Sequence, residues 1–232
     1  MVNSYLLEDG GAVTIIDAGV PGYWKRLPET LAAIGRSPAD VRAILLTHGH
    51  SDHIGFSERA RRELSLPVLI HELDAALARG EVPNPAKGLG PTHLRPLLGF
   101  LAWSARNGAL RQLHLGQVAT FGDGATLDVP GAPRVIHVPG HTPGSAALLI
   151  ASESALFVGD ALSTYAVTTG ERGPRIAPFT ADRDQALVSL ARLEGLDARH
   201  VLPGHGPAWS EGVDDAVQAV RDSEKPSAYV SM

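Results

Sequence analysis

The sequence predicts an αββα sandwich, in which two β-sheets pack face to face and helices cover both outer surfaces. Short apolar strands dominate the middle of the chain, and predicted helices flank both halves. The strands fall into two blocks, and in each block they end in histidine or aspartate. The length of 232 residues suits one α/β domain with a substantial core, so we expect residues 1–232 to form a single domain.

Apolar runs of strand length mark the first block, and the turn Asp9-Gly10-Gly11 joins its first two strands as a hairpin. The predicted strands are Val2–Leu7, Ala12–Ile16, Val41–Leu46 and Val68–His71. The predicted helices are Tyr23–Ile34, Ile54–Leu64 and Glu72–Arg79.

The second block is richer in strands. The predicted strands are Ala119–Phe121, Thr126–Val129, Val135–Val138, Ala146–Ile150, Ala155–Phe157 and His200–Leu202. Two helices, Asp184–Glu194 and Val213–Ser223, complete the second block.

A helical insertion is predicted between the blocks, at about residues 83–115. The loop Pro83–Pro91 is rich in proline and glycine, and Thr92–Arg111 has the apolar spacing of a helix that could break near Gly99 or Gly108. One face of this helix carries Leu94, Leu97, Leu98 and Leu101. Two interpretations stay open, a lid over the functional cleft or a helix that packs its leucines on the core.

Composition argues against several classes of function. The formal net charge is −5 without a long basic run, so nucleic-acid binding is not expected. The absence of cysteine removes disulfides, thiolate ligands and a cysteine nucleophile. We find no apolar stretch of about 18 residues and no signal-peptide pattern. We therefore expect a cytoplasmic protein that acts on a small molecule away from membranes, and the sequence leaves its oligomeric state open, a homodimer included.

The densest polar cluster is His48-x-His50-x-Asp52-His53, directly after the apolar run Val41–Leu46. Imidazole and carboxylate suit zinc, iron or manganese. In a turn that follows a strand, alternate side chains can point to the same side. His48 and His50 could therefore face one metal ion, while Asp52 and His53 face a second one. The alternative is a histidine-rich surface turn without a ligand.

Three distant residues complete the pattern. His141, Asp160 and His205 each follow an apolar strand and lie next to glycine, which lets the backbone approach an ion closely. Pairs such as Gly-His are common in ordinary turns, so none of the three is informative alone. With the first cluster, and in this order, they predict a metal centre.

The whole pattern resembles the metallo-β-lactamase superfamily, from Asn3 to His205. The resemblance implies an αββα sandwich of the metallo-β-lactamase type with two adjacent metal ions. Asp17 matches the early aspartate that supports the metal-ligand loop in this family. The ligands implied for the first ion are His48, His50 and His141. Those implied for the second ion are Asp52, His53 and His205, and Asp160 would bridge the two ions.

The resemblance also implies hydrolysis. A hydroxide shared by two ions about 3.5–4 Å apart would attack a carbonyl carbon. The catalytic carboxylates would be Asp160, as the bridge, and Asp52, through proton transfer. Zinc is the expected metal, with iron and manganese as alternatives.

An ester or lactone with an apolar part is the expected substrate, because the seven ligands and the compact chain are similar to those of acyl-homoserine lactonases. Those enzymes usually carry a tyrosine three residues after the bridging aspartate, where this chain has Ser163. Tyr165 lies two positions further on. The expected substrate pocket consists of Leu98, Leu101, Trp103 and Tyr165.

Other activities stay open. One is a thioesterase of the glyoxalase II type, although the 27 residues after His205 are expected to be too few for a glutathione-binding helical domain. β-Lactam hydrolysis is expected only as a side activity, because true metallo-β-lactamases usually replace the bridging aspartate. The alternatives from other classes are an iron-dependent sulfur dioxygenase, a two-metal phosphodiesterase and a non-catalytic binding module.

Overall fold

Two β-sheets form the centre of the fold in the computed structural model, which describes residues 1–86, 88 and 90–225. The first sheet contains β1 (Tyr5–Asp9), β2 (Ala12–Ile16), β3 (Val41–Leu46), β4 (Val68–His71) and β5 (Ala119–Phe121). These strands lie side by side in chain order. The hairpin β1–β2 is antiparallel, and every later neighbour is parallel.

The second sheet is mixed. The remaining strands are β6 (Arg134–His137), β7 (Ala146–Ile150), β8 (Ala155–Gly159), β9 (Ser163–Tyr165), β10 (Arg172–Arg175) and β11 (His200–Pro203). Four of them form the sheet in the order β11-β8-β7-β6, in which only β11 and β8 are parallel neighbours. The other two, β9 and β10, form a separate antiparallel pair.

Seven helices surround the sheets in the described part of the chain. They are α1 (Leu27–Ala33), α2 (Ser51–Ile54), α3 (Ser57–Glu63), α4 (Ala75–Ala78), α5 (Leu94–Asn107), α6 (Arg183–Ser189) and α7 (Val213–Ser223). Short 3₁₀ turns occur at Pro21–Lys25, Pro38–Asp40, Glu72–Asp74, Ala151–Glu153 and Leu190–Arg192. Within the described residues, none of these helices combines the length and the apolarity that crossing a bilayer requires.

Neighbouring residues of one strand contribute to different layers of the hydrophobic core, because side chains alternate between the two faces of a sheet. Ile16 and Leu45 pack between the sheets, against Leu148 and Phe157 of the second sheet. Burial of each such side chain contributes about 1.5–3 kcal/mol.

The outer faces of both sheets are covered by helices. Ile15 and Ile44 of the first sheet pack in a cluster with residues of α1, α3 and α4. Ile136 of the second sheet packs in a cluster with residues of α6 and α7. Helix, sheet, sheet and helix therefore follow one another, and the predicted αββα sandwich is confirmed.

The first hairpin begins at Tyr5 and not at the predicted Val2. Val2 instead forms an isolated antiparallel bridge with His205. The N–H of Asn3 donates to the carbonyl of Gly204 at 2.7 Å. Residues 2 and 3 therefore belong to the neighbourhood of the His205 loop.

The predicted strand Thr126–Val129 is wrong. Thr126 forms an isolated bridge to Arg134, and the chain then turns at Gly131, which has φ +85°. The pair β9–β10 was not predicted, because the Gly- and Pro-containing sequence of Arg172–Arg175 has no alternation of apolar residues.

Several predicted helices are each divided into two elements in the structure. The prediction Ile54–Leu64 is divided between α2 and α3 at Gly55, which has φ +44° and where a Cβ would lie 2.1 Å from the carbonyl oxygen of Gly19. The prediction Tyr23–Ile34 is divided into a 3₁₀ turn and α1. The Asp184–Glu194 prediction likewise ends as α6 followed by a 3₁₀ turn.

The insertion contains one unbroken helix, α5, which passes through Gly99 and ends at Asn107. The next residue, Gly108, adopts the left-handed conformation that commonly terminates helices. In the predicted loop Pro83–Pro91, Lys87 and Leu89 lie outside the described residues. The exposed fractions of Leu94, Leu98 and Leu101 are 72%, 56% and 42%. These three leucines face solvent and do not pack on the core, whereas Leu97 is half-buried.

Candidate metal centre

The predicted ligands lie in the segments that follow β3, β6, β8 and β11, with Asp52 and His53 in the short helix α2 and the other five in loops. Since β2 and β3 run parallel, Asp17 and the loop after β3 lie at the same edge of the first sheet. β6, β8 and β11 also share one direction, because β7 is antiparallel to both β6 and β8. His141, Asp160 and His205 therefore lie at one edge of the second sheet.

All seven predicted ligands come together between these edges. Three groups each place their ligand atoms within 4.8 Å of one another. The groups are His48 with His50 and His141, then His48 with His53 and Asp160, and finally Asp52 with His53 and His205. Shared members join the three groups into one cluster, so a cation could bind at two adjacent positions.

Asp160 lies in the middle of this cluster. Its Oδ1 is 3.5 Å from Nε2 of His53, and its Oδ2 is 3.5 Å from Nε2 of His141 and 3.3 Å from Nε2 of His205. Its two oxygens therefore face ligands that the family resemblance implies for different ions.

Several atoms of the cluster are buried without a hydrogen-bond partner among the described residues. They are Nε2 of His48, Nε2 of His53 and Oδ1 of Asp160. An unpaired buried polar atom costs about 1–3 kcal/mol. The donor set of imidazole nitrogens and carboxylate oxygens is one that divalent metals accept, so the residues present fit a pair of metal ions.

Asp17 orients the loop between β3 and α2. Its Oδ2 accepts hydrogen bonds from Nδ1 of His53 and Oγ1 of Thr47, both at 2.8 Å, and its Oδ1 accepts the N–H of Thr47 at 2.8 Å. With Nδ1 of His53 donating to Asp17, Nε2 is the ring nitrogen that faces the cluster. Asp17 adopts φ +55°, a conformation that few residues other than glycine adopt.

Other rings are oriented by contacts that the sequence did not reveal. Oγ1 of Thr180 donates to the carbonyl of Ala177 at 2.8 Å, so it can accept from Nδ1 of His141 at 3.0 Å. Oδ1 of Asn84 lies 3.1 Å from Nε2 of His50. Thr180 and Asn84 are ordinary polar loop residues, and no sequence signal distinguishes them.

The charges in the cluster are unevenly distributed in the protein without ions. Burial and the neighbouring His50 lower the pKa of His141 to about 3. Burial also acts to lower the pKa of His205, but Asp160 and Asp52 outweigh it and raise that pKa to about 9. Burial acts to raise the pKa of Asp52, yet the hydrogen bond from His205 keeps it below its ordinary value. A cation that binds beside His205 must therefore displace a proton.

A cleft of about 170 Å³ opens onto the cluster, and a larger apolar chamber of about 540 Å³ adjoins it. Phe100, Trp103 and Val167 line both cavities. Of the predicted pocket residues, Trp103 therefore lies at the cleft and Tyr165 in the chamber. Leu98 and Leu101 are not among the lining residues of either cavity.

Phe179 closes another side of the cleft. Its ring lies 6.4 Å from that of Phe100, centroid to centroid. It has φ +63°, which is unusual for a bulky residue and is a form of backbone strain that concentrates at functional sites. Sequence patterns do not show backbone strain, so this wall of the cleft was not predicted.

An αββα sandwich that carries a histidine–aspartate cluster at one edge is typical of metal-dependent hydrolases. The family model of the metallo-β-lactamase superfamily matches residues 1–205. The chain belongs to this superfamily, whose members bind divalent metals, and it is an enzyme of the hydrolase class.

The chain is similar in sequence to named relatives and in structure to a solved protein. Probable metallo-hydrolase YflN of Bacillus subtilis is 29% identical, over 89% of this chain and 81% of the relative. A hydroxyacylglutathione hydrolase of Anaeromyxobacter dehalogenans is 33% identical, over 87% of this chain and 60% of the relative. The crystal structure of TTHA1623 in a di-iron-bound form has a TM-score of 0.61 and 28% identity, covering 93% of this chain and 92% of that one.

Proposed function

We propose that this protein is a two-metal hydrolase of esters or lactones that carry an apolar part. The observation that carries the proposal is the cluster of seven converging ligands beside an apolar chamber. Such a chamber suits an alkyl or acyl group, because small-ligand sites combine apolar walls with a few polar groups.

We divide the proposed ligands between two ions according to the three groups of the cluster. The first ion would be held by His48, His50 and His141. The second ion would be held by Asp52, His53 and His205, with Asp160 shared. Two bound divalent ions would activate water at neutral pH and polarise the carbonyl of the substrate.

The remaining chemistry falls to side chains of the chain itself. The Asp52 side chain is 30% exposed and lines the cleft, with its Oδ2 3.3 Å from Nε2 of His205. We assign to this carboxylate the relay of a proton, which it would accept from the attacking water and pass to the leaving group. The aromatic walls formed by Phe100, Trp103 and Phe179 exclude water from the scissile bond and position the apolar part of the substrate.

Zinc is the proposed metal, since imidazole and carboxylate ligands in a site without thiolates suit it. Iron is the alternative, because TTHA1623 is described in a di-iron-bound form. Metal analysis of protein purified without added metals distinguishes them.

Activity profiling tests the proposed function. Zinc-loaded protein is assayed on matched panels of lactones, esters, thioesters, phosphodiesters and β-lactams, each with and without chelator. Chelator-sensitive turnover highest on esters or lactones is expected. Highest turnover on thioesters would favour the second candidate, a thioesterase, which the similarity to the hydroxyacylglutathione hydrolase supports. Oxygen consumption with a thiol substrate would instead show a dioxygenase.

Trp103→Ala tests the role of the chamber. Because Trp103 lines both the cleft and the chamber, its loss should lower kcat/KM on long-chain esters more than on short ones. Loss of apolar contact with a long chain is worth about 1.4 kcal/mol, which corresponds to a roughly tenfold effect on the rate. Metal content should stay the same. Equal losses on both chain lengths would place Trp103 in the packing of α5 against Tyr23, whose ring lies 6.3 Å away.

A further inference from the structure

Asp74 is a fully buried carboxylate that belongs to none of the ligand groups. It ends the 3₁₀ turn after β4. Its Oδ2 accepts the N–H of Gly49 at 2.8 Å and the hydroxyl of Thr142 at 2.7 Å, and its Oδ1 accepts the N–H of Gly144 at 2.6 Å. Three neutral donors therefore satisfy this buried carboxylate.

These donors come from two different loops. Gly49 lies between His48 and His50, in the loop that follows β3. Thr142 directly follows His141 in the loop after β6, and Gly144 is in the same loop. One carboxylate thus joins the two loops that supply all three imidazoles of the proposed first ion.

Asp17 makes a different set of contacts. Its side chain bonds to Thr47 and His53, which both belong to the loop and helix after β3. It organises that segment internally, whereas Asp74 sets the position of that segment relative to the His141 loop.

The junction at Asp74 is closely packed. A Cβ on Gly144 would lie 2.6 Å from the backbone nitrogen of Asp74 and 2.7 Å from its Cβ. The loop can therefore approach the carboxylate this closely only because residue 144 is glycine.

We propose that Asp74 is a positioning residue of the metal centre, which holds His48, His50 and His141 at the separation that one ion requires. This inference rests on the proposed assignment of those three histidines to one ion. Hydrogen bonds from backbone N–H groups to a carboxylate are short and strong. Residues that support metal ligands in this way typically change metal affinity by about 10–100-fold.

The test measures zinc binding to metal-free protein by competition with a chromophoric chelator in two backgrounds. The first background, His205→Ala, keeps all three histidines proposed for the first ion. The second background, His141→Ala, keeps Asp52, His53 and His205, which are proposed for the second ion. In Asp74→Asn, an amide nitrogen that cannot accept a hydrogen bond replaces one oxygen. Asp74→Asn should weaken zinc binding about 10–100-fold in the His205→Ala background. It should leave zinc binding unchanged in the His141→Ala background.

Asp123→Asn is the matched control. Asp123 also accepts a backbone N–H, that of His137 at 2.8 Å, but it lies on the surface, so both affinities should stay unchanged. Equal weakening of zinc binding in both backgrounds would overturn the proposal, as would a loss of thermal stability with unchanged affinities. Either result would make Asp74 a purely structural residue.

Thr142→Val provides a second variant if Asp74→Asn does not fold. It removes one of the three hydrogen bonds and keeps the shape of the side chain. It should weaken zinc binding by a smaller factor, in the His205→Ala background alone, and no change there would contradict the proposal. Hydrolysis is not measured, so an incorrect proposed activity would leave the outcome of this test intact.

Discussion

Asp160→Asn should remove most of the activity and weaken binding of one of the two metal ions. The substitution keeps the shape of the side chain but removes the negative charge and one oxygen acceptor between His53, His141 and His205. We expect kcat to fall more than about 100-fold, beyond the range typical of a residue that only supports a ligand. Thermal stability of the metal-free protein should fall far less. Metal analysis, steady-state kinetics and thermal unfolding measure the three quantities.

Asp17→Asn is the comparison for this variant, because it also exchanges a buried carboxylate for an amide. Asp17 contacts Thr47 and His53 from outside the cluster, so its replacement should cost about 10–100-fold in metal affinity or activity. If Asp160→Asn retained two ions and full turnover, Asp160 would not join the two groups. A loss in Asp17→Asn that exceeded the loss in Asp160→Asn would reverse the proposed roles.

Removal of metal should abolish turnover, and zinc should restore it at two equivalents per chain. The seven ligands and their unpaired buried atoms provide for two ions, and a cation replaces the proton that His205 otherwise holds. Binding also stabilises the fold, by about 2.7 kcal/mol for each ion present at 100 times its Kd. Dialysis against chelator, followed by titration with zinc under activity and thermal-unfolding readouts, measures both effects.

Calcium is a suitable control in this titration, because it prefers sites built from oxygen ligands and should restore neither activity nor stability. Saturation at one zinc per chain, with Asp52, His53 and His205 free of metal, would contradict the two-ion proposal. Full activity after complete removal of metal would contradict the metal-dependent hydrolase.

The sequence was sufficient to predict the layers of the fold and the members of the cluster. Buried strands such as Ala146–Ile150 are continuous apolar runs, and the ligands follow such runs, most of them next to glycine. Both signals lie within a few neighbouring residues of the sequence. Contacts between distant segments give no local signal. Asp74 is an example, because its importance depends on Gly49 and Gly144 meeting the same carboxylate.

The helix of the insertion, α5, is a second example of structure that local sequence patterns do not predict. The helical spacing of α5 was visible, and so was its amphipathic character. The spacing did not show which face would be covered, because Leu98 and Leu101 face solvent while Phe100 and Trp103 line the cleft. The position of a helix relative to its neighbours is decided by tertiary packing, which periodicity alone does not encode.

The contacts of Asn3 with the His205 loop have a consequence for the kinetics of folding. Nδ2 of Asn3 donates to the carbonyls of Pro203 and Gly206, at 2.9 and 2.7 Å, across about 200 positions of the chain. Contacts of such high sequence separation form slowly, because a long loop must close before they contribute any stability. The His205 side of the cluster should therefore assemble late in refolding, after the histidines that follow β3 are already in place. The second metal position would then report on completion of the native topology.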